Sequence, residues 1–190
     1  MMLRPAPPER NLVERSEILD ALGLSRVLRR IAFEIVERNG HSAYVVGIRT
    51  GGAILADRLV HLLAESGEKR LALGAIDITL YRDDVFLGLP KPEIGPTDLK
   101  ESIDGRTVVL VDDVLFTGRT VRAAMDVLLD YGRPKRIELA VLVDRGQREL
   151  PIQPDYFGVR LQTTPDQSVR VMLKEKGELD RVVLRERSAQ

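Results

Sequence analysis

The sequence predicts an α/β fold, a mainly parallel sheet flanked by helices, on three observations. Short apolar runs alternate with segments of helical spacing. Two of those runs, Tyr44–Ile48 and 107–111, pass into turns of small residues that open helices, and a third, 137–143, follows the second of these helices. Strands that alternate with helices form parallel sheets covered on both faces, with ligands at the carboxyl ends of the strands.

Each element has its own signal. Residues 1–10 carry Pro5, Pro7 and Pro8 among polar residues and predict a loose tail, leaving 11–190 as a single domain. From Ser25 onward, Val27, Leu28, Ile31, Ala32, Ile35 and Val36 recur at helical spacing until Asn39-Gly40, which predicts a core-facing helix. Tyr44–Ile48 reads as a buried strand, the turn Arg49-Thr50-Gly51-Gly52 follows, and a helix covers about 53–65. Residues 71–81 alternate, include β-branched side chains and predict a second strand. The stretch 82–106 contains Pro90, Pro92 and Pro96 and is too long for a simple connection, so it reads as a flap over an active site, with a short hairpin or linker as the alternative. The strand at 107–111 leads to a helix over Arg119–Tyr131 that Gly132-Arg133-Pro134 stops, and 137–143 is a further strand. Short strands near 156–161, 169–173 and 181–184 either cap the sheet or extend it.

Composition excludes several chemistries. The 190-residue chain has no cysteine, so disulfides, thiolate metal sites and cysteine nucleophiles are ruled out, and with two histidines, His41 and His61, a histidine-rich metal centre is not expected. No apolar run approaches the roughly 20 residues of a membrane span, and no signal-peptide core follows the amino terminus, so a cytoplasmic location is expected. Lys plus Arg equals Asp plus Glu at 29 each, and net charge therefore gives no support for nucleic-acid binding. A cluster of Arg133, Lys135, Arg136, Arg145 and Arg148 around one strand fits a local basic patch or an ordinary solvated rim.

The richest run is Val108-Val109-Leu110-Val111-Asp112-Asp113-Val114-Leu115-Phe116-Thr117-Gly118-Arg119-Thr120. The amides of 117–120 open a helix, where the helix dipole favours a phosphate monoester, and Gly118 lets the phosphate approach the backbone. Thr117 and Thr120 add hydroxyl donors. Asp112 and Asp113 can accept hydrogen bonds from the two hydroxyls of a ribose. Two adjacent carboxylates at the end of an apolar strand are costly unless a ligand uses them.

This run resembles the 5-phosphoribosyl 1-pyrophosphate (PRPP) signature of the type I phosphoribosyltransferases. Together with 77–84 (Asp-Ile-Thr-Leu-Tyr-Arg-Asp-Asp), 144–152 (Asp-Arg-Gly-Gln-Arg-Glu-Leu-Pro-Ile) and Gly132-Arg133-Pro134, it resembles the PyrR family of bifunctional pyrimidine operon regulators and uracil phosphoribosyltransferases over about 27–173. The resemblance implies a type I phosphoribosyltransferase fold with a small hood and a flexible flap, converting uracil and PRPP to UMP and pyrophosphate. Magnesium would be carried by PRPP rather than by a dedicated protein site. It implies that Asp112 and Asp113 hold the ribose hydroxyls, that Val114, Leu115, Phe116, Thr117, Gly118, Arg119 and Thr120 wrap the 5-phosphate, and that Arg49, Thr50, Gly51 and Gly52 receive pyrophosphate, with a strained or cis peptide common there. Arg82, at the start of the flap, would reach the pyrophosphate, or else pair with Asp83 or Asp84. Arg145 and the main chain around Val169 would form the base site. The family also implies binding of UMP or UTP, assembly as a homodimer or larger homo-oligomer, and recognition of a messenger RNA leader in transcription attenuation. Candidates for RNA contact are Arg29, Arg30, Arg38, Arg145 and Arg148.

The chain departs from the family pattern at Gly51, where many relatives have arginine, and at Phe33, Gln147 and Gln153, where close relatives often have histidine, histidine and arginine. Two other readings stand beside the enzyme. One is a non-catalytic regulator that senses nucleotide through the same pocket, and the other is a phosphoribosyltransferase for another base.

Overall fold

A computed structural model describes residues 12–81 and 97–188. The expected tail at 1–10 and Arg82, Asp83 and Asp84 lie outside the described residues. Among the described residues, eight strands occur in chain order: β1 (Leu12–Leu19), β2 (Tyr44–Ile48), β3 (Ala72–Ile76), β4 (Thr107–Leu115), β5 (Arg136–Asp144), β6 (Tyr156–Arg160), β7 (Gln167–Met172) and β8 (Arg181–Arg187). Three helices are interspersed, α1 (Ala21–Asn39), α2 (Gly51–Glu65) and α3 (Arg119–Tyr131).

The main sheet has five strands in the order β3-β2-β4-β5-β6, all parallel. Its central strands are buried on both faces, which is why Tyr44–Ile48 and Val108–Val111 read as continuous apolar runs instead of alternating ones. One face packs Leu28, Ile31 and Ile35 of α1 and Leu55, Leu59 and Leu63 of α2 against Val45, Val109 and Ala140. The other packs Val121, Ala124, Val127 and Leu128 of α3 against Val46, Leu110 and Val141. Each such aliphatic side chain contributes about 1.5–3 kcal/mol on full burial. α1 starts one turn before the expected Ser25, because Asp20 caps it by accepting from the Gly23 amide at 2.7 Å, and it ends at Gly40, whose φ is 60°.

The remaining strands settle the choice between cap and extension, and they do both. β6 extends the parallel sheet, whereas β1, β8 and β7 form a separate antiparallel sheet, the hood. The hood rests on the α1–α2 face through Val171, Leu173 and Val182. A partly buried ion-pair fork reinforces it: Arg58 of α2 donates to Asp180 at 2.7 Å and to Glu175 at 2.5 Å. Burial pushes the Asp180 carboxyl up, but the hydrogen bonds and charge of Arg58 outweigh it and hold the group below its usual range.

Two expectations are corrected. The second strand ends at Ile76, and Thr79–Tyr81 forms a 3-10 turn, because the Asp77 carboxylate accepts from the Thr79 amide at 2.7 Å and bends the chain. Of the segment expected as a flap over 82–106, residues 82–96 lie outside the described residues, and the remainder is packed instead. Asp98 exchanges two backbone hydrogen bonds with Ala75 at 2.7 and 3.0 Å, and Ile103 is buried in the core, so 97–106 are docked on the sheet.

Candidate functional site

The strand order places a crevice before any side chain is considered. From β2 the chain runs through α2 to β3 on one side, and from β4 it runs through α3 to β5 on the other. Neighbouring parallel strands whose connections diverge leave a crevice at their carboxyl ends, the usual ligand position in such sheets. The two motifs singled out in the sequence, 49–52 and 112–120, run from the carboxyl ends of these two strands into the helices that follow; β4 continues past the expected end at 111 to Leu115, where Asp112, Val114 and Leu115 still pair with β5.

The turns approach each other closely at two glycines. A Cβ added to Gly52 would lie 2.2 Å from the Val111 carbonyl oxygen, so the start of α2 sits directly against the β4 backbone. A Cβ on Gly51 would lie 2.2 Å from Oδ2 of Asp113, which puts the expected pyrophosphate turn in contact with the expected ribose-binding carboxylate. The other oxygen, Oδ1, accepts from the Val114 amide at 2.8 Å, and Oδ1 of Asp112 accepts from the Asp113 amide at 3.0 Å. Asp112 is buried and Asp113 half-buried. The Arg49–Thr50 peptide is cis, and the Arg49 amide ties the turn to the Ile76 carbonyl at 2.9 Å.

The turn after β4 leads through Gly118 into α3. Gly118 caps α3 with φ 94°, a left-handed conformation that favours glycine, and it offers no side-chain acceptor to the first amides of the helix. Three successive carbonyls are held by the segment after β5. Leu115 O accepts from the Arg145 amide at 3.1 Å, Phe116 O from Nη1 of Arg148 at 3.0 Å, and Thr117 O from the Glu149 and Leu150 amides at 3.0 and 3.1 Å. A trans peptide points its N–H opposite to its C=O. The amides of 116–118 are therefore directed away from 145–150, an arrangement that, with the start of α3, can take an anion.

Comparison with known proteins agrees with this geometry. The phosphoribosyl transferase domain family matches residues 14–176. The chain is 47% identical to the bifunctional protein PyrR of Thermoanaerobacter sp. (strain X514), covering 91% of this chain and 98% of that protein. It is 51% identical to the bifunctional protein PyrR of Chloroflexus aurantiacus, covering 91% and 96%. The chain belongs to the PyrR family. Its fold is that of the type I phosphoribosyltransferases: a hypoxanthine phosphoribosyltransferase from Staphylococcus aureus superposes with a TM-score of 0.67 at 19% identity, covering 90% of this chain and 92% of that one.

Within this PyrR-family chain, Arg145 sits at the junction of sheet and hood. Its Nε donates to Thr163 Oγ1 at 3.1 Å, its Nη2 donates to the Gln167 carbonyl of β7 at 2.8 Å, and its guanidinium lies 3.9 Å from the centroid of the Phe116 ring. Burial lowers its pKa from the usual arginine value. Val169 lies two residues beyond Gln167 on β7, so the expected base-site residues flank one connection between the phosphate turn and the hood. Gln147, in a left-handed conformation with φ 57°, donates to the Thr163 carbonyl on the same connection.

The arginines expected to contact RNA do not form one group. Arg29 donates to Ser66 Oγ at 3.0 Å; Arg30 reaches the Phe157 and Gly158 carbonyls at 2.8 and 2.9 Å; Arg38 pairs with Asp155 at 3.1 Å and with Glu138 at 3.3 Å. These three lie along exposed parts of α1. Arg145 is 7% exposed, and the Arg148 side chain is 14% exposed. Both point their donors inward, so this pair is not displayed on a surface as expected. Sequence reading also missed the backing role of 145–150, whose signal was present in two arginines and an acid spaced around a glycine at a strand end. It missed the steric requirement at Gly52 as well, which only the packing of α2 on β4 reveals.

Among the described residues no helix is long and apolar enough to cross a membrane, and no cluster of three or more acidic or histidine side chains forms a cage for a metal. Mg²⁺ is commonly held by one or two carboxylates together with substrate phosphates, and the Asp112–Asp113 pair beside an anion-binding turn fits an ion delivered on such a substrate.

Proposed function

We propose that the chain transfers the phosphoribosyl group of PRPP to uracil, releasing pyrophosphate and forming UMP, and that it regulates pyrimidine genes by binding a messenger RNA leader in response to nucleotide. The observation that carries the enzymatic reading is the contact between the Gly51 turn and Asp113, which supports a pyrophosphate subsite, a ribose subsite and a phosphate cradle sharing one crevice. PRPP presents those three parts in that order.

In the reaction, the bond from C1′ of the ribose to the pyrophosphate oxygen breaks as a bond forms between C1′ and N1 of uracil. The N1 proton leaves to solvent or a carboxylate, and the electron pair of the broken bond departs with pyrophosphate. Positive charge gathers on the ribose during this exchange, so placement of charge matters more than a covalent nucleophile. Asp112 and Asp113 orient the ribose hydroxyls and supply negative charge near C1′. The amides of 117–120, with the hydroxyls of Thr117 and Thr120, hold the 5-phosphate. The turn 49–52 receives pyrophosphate through its amides and the start of α2. Mg²⁺ delivered with PRPP would supply charge neutralisation at the pyrophosphate, and Asp112 and Asp113 are the carboxylates that would hold it. Uracil lies between Arg145 and the main chain near Val169, where backbone donors and acceptors match its alternating carbonyl and imide groups. Arg82, outside the described residues, is the further candidate for contact with the pyrophosphate.

RNA recognition in this reading uses Arg29, Arg30 and Arg38 on α1, presented by a homodimer or larger homo-oligomer. Uracil-dependent formation of UMP, measured alongside binding of the leader RNA with and without UMP, tests both halves. No UMP at saturating Mg²⁺ and PRPP refutes the enzyme, and leader binding that ignores UMP refutes the regulator.

A further inference from the structure

We propose that Arg148 is a positioning residue for the phosphate cradle: its guanidinium fixes the Phe116 carbonyl and thereby aims the Thr117 amide at the 5-phosphate. The inference rests on the assignment of 114–120 to that phosphate.

Every nitrogen of the guanidinium is engaged. Nε donates to the Ile152 carbonyl at 2.9 Å, Nη1 to the carbonyls of Phe116 and Gly146 at 3.0 Å each, and Nη2 to Oδ1 of Asp144 at 2.5 Å. Asp144, at the end of β5, is almost fully buried and also accepts from the Gly146 amide and from Nε of Arg160, each at 3.1 Å. Burial pushes its carboxyl up, but the hydrogen bonds and charge of Arg148 outweigh that and keep it below the usual range. A charged, rigid anchor on the sheet thus reaches the cradle through one side chain.

The neighbouring carbonyls differ in how they are held. Leu115 O and Thr117 O accept from backbone amides, whereas Phe116 O accepts from a side chain. The orientation of the Phe116–Thr117 peptide therefore depends on the identity of residue 148. The peptide is planar, so releasing the carbonyl lets the whole unit rotate, and the Thr117 amide leaves the cradle with it. Lysine at this position can keep the ion pair with Asp144, but its single ammonium cannot span the separate carbonyls that the planar fork reaches. This role also replaces the polyanion contact expected of Arg148, since its donors are spent inside the protein.

Titration calorimetry on the full chain with Mg²⁺ tests the role, using ribose 5-phosphate and pyrophosphate as separate probes. Ribose 5-phosphate reports on the cradle, and pyrophosphate reports on the 49–52 turn. In R148Q the Kd for ribose 5-phosphate is expected to rise roughly 10- to 100-fold, the equivalent of one charge-assisted hydrogen bond. The Kd for pyrophosphate should stay within about twofold, because none of the Arg148 hydrogen bonds reaches the 49–52 turn. R148K is expected to show a smaller loss with the same selectivity, and the KM for PRPP should rise more than kcat falls, the signature of lost binding common to ground and transition states. Unchanged ribose 5-phosphate affinity in folded R148Q overturns the proposal. Equal weakening of both probes, or failure of both variants to fold, also overturns it in favour of a general structural role. Wild-type protein that binds neither probe removes the PRPP-site reading itself, whereas wild-type binding of both without UMP formation removes only the catalytic reading.

Discussion

Replacing Gly51 by alanine separates the chemical site from the scaffold that carries it. The new Cβ would stand 2.2 Å from Oδ2 of Asp113, and the carboxylate must retreat by roughly 1 Å to reach ordinary contact. A carboxylate on a rotatable bond can make that move, so the fold survives. The movement breaks the 2.8 Å hydrogen bond from the Val114 amide to Oδ1 and withdraws the oxygens meant for the ribose hydroxyls. A charge-assisted hydrogen bond is worth about 1.5–3 kcal/mol, so kcat/KM for UMP formation should fall roughly 10- to 100-fold. Stability in urea should change by less than about 1 kcal/mol, since no buried backbone is displaced. Gly52→Ala provides the contrast. Its Cβ meets the Val111 carbonyl at 2.2 Å and the Asp112 Cα at 3.0 Å, backbone that cannot step aside. Overpacking of that kind costs about 1–3 kcal/mol, and the midpoint of urea unfolding should drop accordingly. Full activity in G51A, with Asp113 unmoved in its crystal structure, refutes the proposed contact between the two subsites.

Further outcomes follow from other parts of the structure. Asp112→Asn and Asp113→Asn should each weaken PRPP binding, and calorimetry with unchanged PRPP affinity would remove the ribose assignment. Arg58→Ala should destabilise the chain by about 1.5–3 kcal/mol by opening the fork to Asp180 and Glu175, whose side chains are 17% and 37% exposed, with the more exposed partner contributing less. Loss of amide protection confined to β1, β7 and β8 checks this by hydrogen exchange. The Arg58 hydrogen bonds hold Glu175 below its usual range, and Arg58 likewise prevails over burial at Asp180. Groups with depressed folded pKa values stabilise the fold above the ordinary carboxylate range and lose that contribution as pH falls through their folded values. Thermal unfolding below pH 4 should therefore show an earlier loss in wild type than in R58A, relative to each protein at neutral pH. For RNA, Arg30→Gln combined with Arg38→Gln should lower leader affinity and flatten its salt dependence, and an unchanged salt slope would exclude α1 as the contact surface.

The parts of the fold visible in the sequence are those where one periodicity dominates. Tyr44–Ile48 and Val108–Val111 are buried on both faces and could not be mistaken, and Leu28, Ile31 and Ile35 announced the inner face of α1. β1 was invisible for the opposite reason. Most of its residues are exposed, and its pairing with β8 relies on cross-strand ion pairs such as Arg15 with Glu186 at 2.7 Å and Glu14 with Arg181 at 2.7 Å, which leave no apolar pattern. The phosphate turn was legible because helix starts, glycine and acids occur there in a fixed local order. The partners of Arg145 and Arg148 were not, since a sequence shows that a residue is charged but not which way its fork points. Thr163, Gln167 and Phe116 are brought to these arginines only by the packing of β5, β7 and the turn after β4.

The most direct test of the central claim is a discontinuous assay that supplies labelled uracil, PRPP and Mg²⁺ to the purified chain and quantifies both products. A single site that joins the three parts of PRPP to a pyrimidine pocket predicts UMP and pyrophosphate in equal amounts, with no comparable turnover of hypoxanthine or guanine. Absence of UMP, or faster nucleotide formation from a purine base, contradicts it.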